Sequence, residues 1–324
     1  MNIKSSDLSH DPLWPRTGGW PPPRPGEQVD LALVGIPTSR TSLSPSQAHE
    51  TPAAVRRALR RYSSHLVDPA SPGARGAERE LVLDEVLRIV DAGDLTGPDS
   101  VAGEKDATEA VTVLATHARL VIALGGDNAL TVPAAIGVSG GVAGLRTAGL
   151  VTLDAHHDLR EGRSNGSPVR RLIEAGLDPH RIVQVGIADF ANSRAYRERA
   201  KDLGITVVHR DELHDRPISA VVAEALEIAG AGGGAIHVDL DVDVCDRSVA
   251  PGCPASLPGG LQAHELRRFA RLFAADDRVR GIDIAEVDVQ ADSADGRTVR
   301  LAALCVLEAI AGLASRTRLG DPTD

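Results

Sequence analysis

From about residue 30 onward, short apolar runs alternate with longer amphipathic segments, and that alternation leaves few folds open. The apolar runs cover residues 31–36, 87–92, 120–124, 150–153, 182–187, 205–209, 235–240 and 281–285. Segments of helical period lie between them, at 52–61, 105–117, 169–175, 194–203, 218–229, 263–274 and 297–314. A continuous apolar run suits a strand buried on both faces, and parallel strands need a crossover helix between them. The eight runs and the helices between them predict an α/β fold with a mostly parallel sheet. Ligands in such folds gather beyond the carboxyl ends of the strands. Residues that carry chemistry are therefore expected just after each run.

Two runs end in acids. Val151-Thr152-Leu153 leads into Asp154-Ala155-His156-His157-Asp158-Leu159-Arg160, and Ile236-His237-Val238 leads into Asp239-Leu240-Asp241-Val242-Asp243. If the second strand persists, its alternation puts Asp239, Asp241 and Asp243 on one face. Like charges so placed repel, and a divalent cation relieves the repulsion. Carboxylates with an imidazole suit a hard or borderline ion such as Mn2+. Two acid-tipped strands that converge carry enough carboxylate to bridge two ions, an arrangement that activates water at neutral pH. Two further strand exits are polar. One is Gly125-Gly126-Asp127-Asn128, where Asp127 either caps the next helix or faces the site. The other holds Glu286, after residues 281–285.

With 324 residues and a net charge of -10, the chain has a core's worth of apolar residues and no clustered Lys and Arg of a nucleic-acid footprint. No apolar run is long enough to span a bilayer and no basic-then-apolar leader opens the chain, so a cytoplasmic protein acting on a small molecule is expected. Cys245, Cys253 and Cys305 fit neither a disulfide framework nor a zinc ribbon and read as buried thiols. Residues 1–28, rich in Pro and Gly, read as an arm whose Trp14 and Trp20 pack on the body of the fold or a neighbouring subunit. Residues 29–324 read as one catalytic domain. His237, inside a strand, reads as a hydrogen-bonded core residue, and His157 as a residue pointing away from His156.

Asp154-Ala155-His156-His157-Asp158 resembles the Asp-Ala-His-x-Asp motif of the ureohydrolases (arginase, agmatinase and formimidoylglutamase). Asp241-Val242-Asp243, with Ala250-Pro251-Gly252 and Gly259-Gly260-Leu261, is similar to their second metal motif, and Gly125-Gly126-Asp127-Asn128 to their first. The resemblance runs from about Leu31 to the last helix. It implies the arginase-like three-layer fold, two Mn2+ per subunit and a homo-oligomer, a trimer or hexamer. It implies that Asp154 and Asp241 bridge the ions, that Asn128 and Asp158 complete one sphere, and that His156 and Asp243 complete the other. Asn128 departs from the family's His, and an amide oxygen is the weaker donor. The position holding Asn128 is thus expected to bind its ion less firmly, to stand empty at low metal or to take a different ion.

Within the family, Asp158-Leu159-Arg160 and Ser164-Asn165-Gly166-Ser167-Pro168 look most like formimidoylglutamase. Arginases and agmatinases typically carry a His where this chain has Asn165. The implied reaction is hydrolysis of N-formimidoyl-L-glutamate to L-glutamate and formamide. Asp158 would pass a proton to the departing amine, Glu286 would hold the amidinium, and Arg160 would either grip a substrate carboxylate or form a structural salt bridge. An agmatinase-like guanidino hydrolase and a catalytically silent family member are the alternatives.

Overall fold

The computed structural model describes residue 8 and residues 10–68 and 79–316. In chain order the elements are β1 (Val29–Ile36), α1 (Thr51–Leu59), β2 (His65–Asp68), β3 (Arg79–Val82), α2 (Leu83–Val86), β4 (Ile89–Asp94), α3 (Val101–His117), β5 (Ala118–Gly125) and α4 (Thr131–Val138). They continue with β6 (Gly149–Leu153), α5 (Pro168–Glu174), β7 (Ile182–Ile187), α6 (Arg194–Leu203), β8 (Thr206–His209), α7 (Ile218–Ala229), β9 (Ile236–Asp241), α8 (Ala263–Ala274), β10 (Val279–Ala285) and α9 (Arg297–Ala314).

Eight strands form one sheet in the order β4-β1-β5-β10-β9-β6-β7-β8, and every neighbouring pair is parallel. These are the eight expected apolar runs. Alternation along each strand divides its side chains between two cores. Leu31 and Leu33 of β1 join Leu120, Ile122 and Leu124 of β5 beneath α1, α8 and α9, whereas Ala32, Val34 and Ile36 join Val121 and Ala123 beneath α3 and α4. The result is the three-layer α/β/α arrangement.

The helices follow their sequence signals. In α8 the stripe Leu266, Phe269, Ala270 and Phe273 is buried, with the rings of Phe269 and Phe273 stacked 6.0 Å apart. Ser193 caps α6 by accepting from the Tyr196 N–H, and Gly204 ends it with φ 81°. Besides the short α2, two features go beyond the sequence reading. All eight residues of α4 are buried, so no polar face marks its period. The two-stranded hairpin β2–β3 is antiparallel and separate from the main sheet. The tryptophans of the proline-rich segment face the fold differently. Trp20 packs on the core and its indole N–H donates to Asp84 at 2.8 Å, whereas Trp14 is about half exposed beneath the Arg16 guanidinium.

Candidate active site

In the middle of the sheet, β5, β10, β9 and β6 lie side by side, and each delivers polar residues at its carboxyl end. β5 leads to Asn128, β10 to Glu286, β9 to Asp241 and Asp243, and β6 to Asp154, His156 and Asp158. Residues more than a hundred positions apart meet because their strands are neighbours. A cavity of about 270 Å³ opens there, lined by His156, Asp158, Arg160, Asn165, Asp241, Asp243 and Glu286. Asp154 and Asn128, both at most 1% exposed, lie below them.

Asp154, His156 and Asp243 each offer a donor atom, and these atoms lie within 4.8 Å of one another. His156 Nδ1 is 2.6 Å from Asp243 Oδ2 and 3.4 Å from Asp154 Oδ1. Asp243 Oδ1 accepts from the Ala155 N–H at 2.9 Å, which ties the two acid-bearing loops together. One expectation needs correction here. Asp243 does not share a strand face with Asp239 and Asp241, because β9 ends at Asp241. Asp241 Oδ1 accepts from the Asp243 N–H at 2.8 Å and bends the chain into a 3-10 turn, and that turn carries Asp243 to the site. Arg210 steadies the same turn by donating to the Asp243 and Val244 carbonyls.

On the other side, Asn128 Nδ2 donates to Asp158 Oδ2 at 2.8 Å and approaches Asp239 Oδ2 at 3.4 Å, while its Oδ1 accepts from the Thr131 hydroxyl at 2.8 Å. The amide thus turns its NH2 to the acids and its oxygen away from them. Glu286 Oε1 accepts from the Asn128 N–H and from Asn165 Nδ2, each at 2.8 Å. Asn165 is positioned in turn by the Leu43 N–H, which donates to its Oδ1 at 3.0 Å. Asp158 and Glu286 hold left-handed backbone, with φ 52° and 64°. Such a conformation costs a non-glycine residue about 1–3 kcal/mol, and strain of this kind gathers at functional sites. Asp127 takes the capping option. Its Oδ1 accepts from the Ala129 N–H and its Oδ2 from the Ser42 hydroxyl.

The site is electrostatically uncomfortable without a cation. Burial, reinforced by the Asp243 charge, lifts Asp158 to about 7, and burial beside Asp127 lifts Glu286 to about 8. Asp154, Asp239 and Asp241 are raised well above the carboxylate range, again by burial first and by neighbouring acids next. Burial alone would depress His156, but Asp243 outweighs it and holds the imidazole at about 9. Asp243 is depressed in return, against its own burial. Asp154 Oδ2 is buried with no hydrogen-bond partner. An orphaned carboxylate oxygen beside a ready Asp-His-Asp donor set is what a metal ion would satisfy, so these residues fit one.

His157 also borders the cavity, but its Nδ1 is engaged 2.7 Å from Gln184 Oε1, and burial depresses its pKa. His237 is a core residue, its Nε2 2.7 Å from Asp283 Oδ2. The three cysteines are free and buried. Some wall residues were not anticipated: Leu43, Ser44 and Ser46 after β1, and Asn192 and Tyr196 after β7. The Ser- and Thr-rich run that follows β1 was the available signal for the first group. Nothing in the sequence around Asn192 sets it apart.

The comparisons with known proteins agree with the fold. The model of the arginase family matches residues 29–312. A formimidoylglutamase of Halalkalibacterium halodurans is 33% identical over 300 residues, covering 90% of this chain and 89% of that one. The crystal structure of formimidoylglutamase from Bacillus subtilis superimposes with a TM-score of 0.82 at 28% identity, covering 97% of this chain and 96% of that one. A Trypanosoma cruzi formiminoglutamase solved with Mn2+ shares the fold, with a TM-score of 0.75 at 21% identity over 91% of this chain and 96% of that one. By its family match, its relatives and its acid-tipped parallel sheet, the chain belongs to the arginase family.

Proposed function

We propose that this protein hydrolyses the linear C–N bond of N-formimidoyl-L-glutamate, releasing L-glutamate and formamide. The observation that carries the choice of substrate is the distribution of charge along the cavity. Its floor is acidic, while Arg160 on its wall is exposed and makes no ion pair or hydrogen bond through its guanidinium among the described residues. The structural salt bridge considered for Arg160 therefore has no partner among them. A substrate with an amidinium at one end and carboxylates at the other matches both, and a guanidinium fork grips a carboxylate with two parallel hydrogen bonds. The formimidoylglutamase relatives, matched over most of their length, support the same reading.

The donor residues would be Asp154, His156, Asp158, Asp241 and Asp243, with Asn128 at the weaker position. Bound Mn2+ would supply the Lewis acidity that makes water a nucleophile at neutral pH. The mostly oxygen donor set favours this ion, as does the Mn2+ in the trypanosomal neighbour. Glu286 Oε2 has no hydrogen bond among the described residues and is free to hold the amidinium, while Oε1 stays anchored by Asn128 and Asn165. Asp158 delivers the proton to the glutamate nitrogen as its bond to the amidine carbon breaks.

The test is a parallel assay of formimidoylglutamate, agmatine, arginine and guanidinobutyrate with the Mn2+-loaded protein. Turnover of formimidoylglutamate with at least tenfold higher kcat/KM than the rest is expected, and turnover of a guanidino compound alone overturns the assignment. A second reading, a silent family member, draws on the Asn128 amide, which presents nitrogen rather than oxygen to the acids. Fewer than one bound ion per chain and no turnover after Mn2+ loading would favour it. We further propose a cytoplasmic homo-oligomer, a trimer or hexamer, with residues 1–28 as an arm outside the catalytic unit. Among the described residues no helix is long and apolar enough to cross a membrane. Light scattering of the full chain measures the assembly.

A further inference from the structure

The reaction above makes no use of a row of polar side chains behind the candidate centre. Thr152, Asp239 and Asp283 face one another in register on β6, β9 and β10, one step deeper on the sheet face that carries Asp154 and Asp241. All three are at most 1% exposed. Thr152 Oγ1, Asp239 Oδ1 and Asp283 Oδ1 have no hydrogen-bond partner. Asp283 has an imidazole for a partner, its Oδ2 lying 2.7 Å from His237 Nε2. Asp239 faces that Asp283 carboxyl, a second acid, and otherwise has only the 3.4 Å contact of its Oδ2 with Asn128 Nδ2. That same NH2 donates to Asp158 Oδ2 at 2.8 Å. Two carboxylate oxygens, one on β9 and one from the segment after β6, thus converge on one point, held there by the weakly positive end of a neutral amide.

We propose that this point marks a metal position that Asp239 closes from below, its carboxylate supplying the anionic oxygen that a neutral Asn128 lacks. In the loaded state the Asn128 amide presents Oδ1 to the ion and donates from Nδ2 to the Thr131 hydroxyl, which accepts as readily as it donates. With Asp154, Asp158 and Asp241 the donor set is then all oxygen, and it selects a harder ion than the imidazole-bearing set of Asp154, His156 and Asp243 does. The inference rests on the two-metal hydrolase reading above and assigns Asp239 a role there.

The experiment is Mn2+ titration of the chelator-stripped full chain by calorimetry and electron paramagnetic resonance, with Asp239→Asn, Asp239→Ser and the double variant Asp239→Ser/Asn128→His. Two Mn2+ are expected for the unaltered chain. In the single variants one of the two should bind about 10- to 100-fold more weakly while the other is unchanged, and the double variant should recover the loss. Unchanged affinities for both ions in both single variants, with the unaltered chain active, overturn the Asp239 role and leave the hydrolase reading standing. An unaltered chain that binds no Mn2+ overturns both. Should the variants fail to fold by circular dichroism, a crystal structure of the unaltered chain with Mn2+ decides. An Asp239 oxygen within about 2.1–2.4 Å of an ion supports the role, and one beyond about 4 Å overturns it.

Discussion

Among Asp154, His156 and Asp243, the imidazole and the Asp243 carboxylate answer one another, while Asp154 keeps an orphaned oxygen. The histidine is held at about 9, Asp243 is depressed, and a backbone N–H ties the two loops. Across the site, Asn128, Asp158 and Asp239 lack that balance. One neutral amide faces two buried acids, and both acids are pushed upward. The first half carries a counter-charge for Asp243, and the second has none of its own. Acids gathered at one edge of a sheet therefore need not be compensated equally.

The largest effect should come from breaking the balanced half. Asp243→Ala removes a donor atom, the partner of His156 and the acceptor of the Ala155 N–H together. Loss of kcat/KM by about 10³-fold or more is expected, equivalent to roughly 4 kcal/mol of transition-state stabilisation. Steady-state kinetics at saturating Mn2+ measures it, and a loss below tenfold would mean that the two halves matter alike. Away from both halves, Arg160→Ala should raise KM for formimidoylglutamate by about 10- to 100-fold, as expected for losing a charge-assisted contact of about 1.5–3 kcal/mol. The variant's KM for an uncharged amidine gives the control, and an equal rise for that compound would remove Arg160 from carboxylate recognition.

A smaller change should come from mending the weak half. Asn128→His supplies an imidazole in place of the amide and should tighten one Mn2+ about tenfold in a calorimetric titration. Affinity that stays the same would deny this position a ligand role.

The smallest effect is on stability. A carboxyl whose pKa is higher folded than unfolded stabilises the fold fully below its unfolded value, and that stability is lost as pH rises through the folded value. Asp158 spans 3.8 to about 7 and Glu286 spans 4.5 to about 8, so metal-free protein should lose stability across that window. Bound Mn2+ favours the ionised acids and opposes the loss. The gap between the Tm in Mn2+ and in chelator should therefore widen by a few degrees from pH 5 to pH 8. A gap that narrows would reverse the sign of this argument.

Much of the fold was legible because it rests on local pattern. All eight apolar runs became strands of one sheet, since strands buried on both faces must be apolar throughout. Helix α4 stayed hidden for the related reason that a helix buried all round shows no polar period. In the site, the strand exits bearing Asp154, Asp241 and Glu286 were legible as acids ending apolar runs. The path of Asp243 was not, because an Asx turn rather than strand alternation sets it. Asp239 was read from the sequence as an acid of the alternating row that lies outside the implied ligand set, and its buried neighbours are what the structure adds.

The sequence alone determined the class of fold, the family resemblance and the identity of the acids at the strand exits, because side-chain periodicity and motif spacing are properties of short stretches. The tertiary structure alone decided that β5, β10, β9 and β6 stand side by side, that Asn128 turns its NH2 to Asp158 and Asp239, and that Arg160 is left unpaired among the described residues. Strand order and the partners of a buried polar group depend on contacts between distant segments, and no local pattern encodes them.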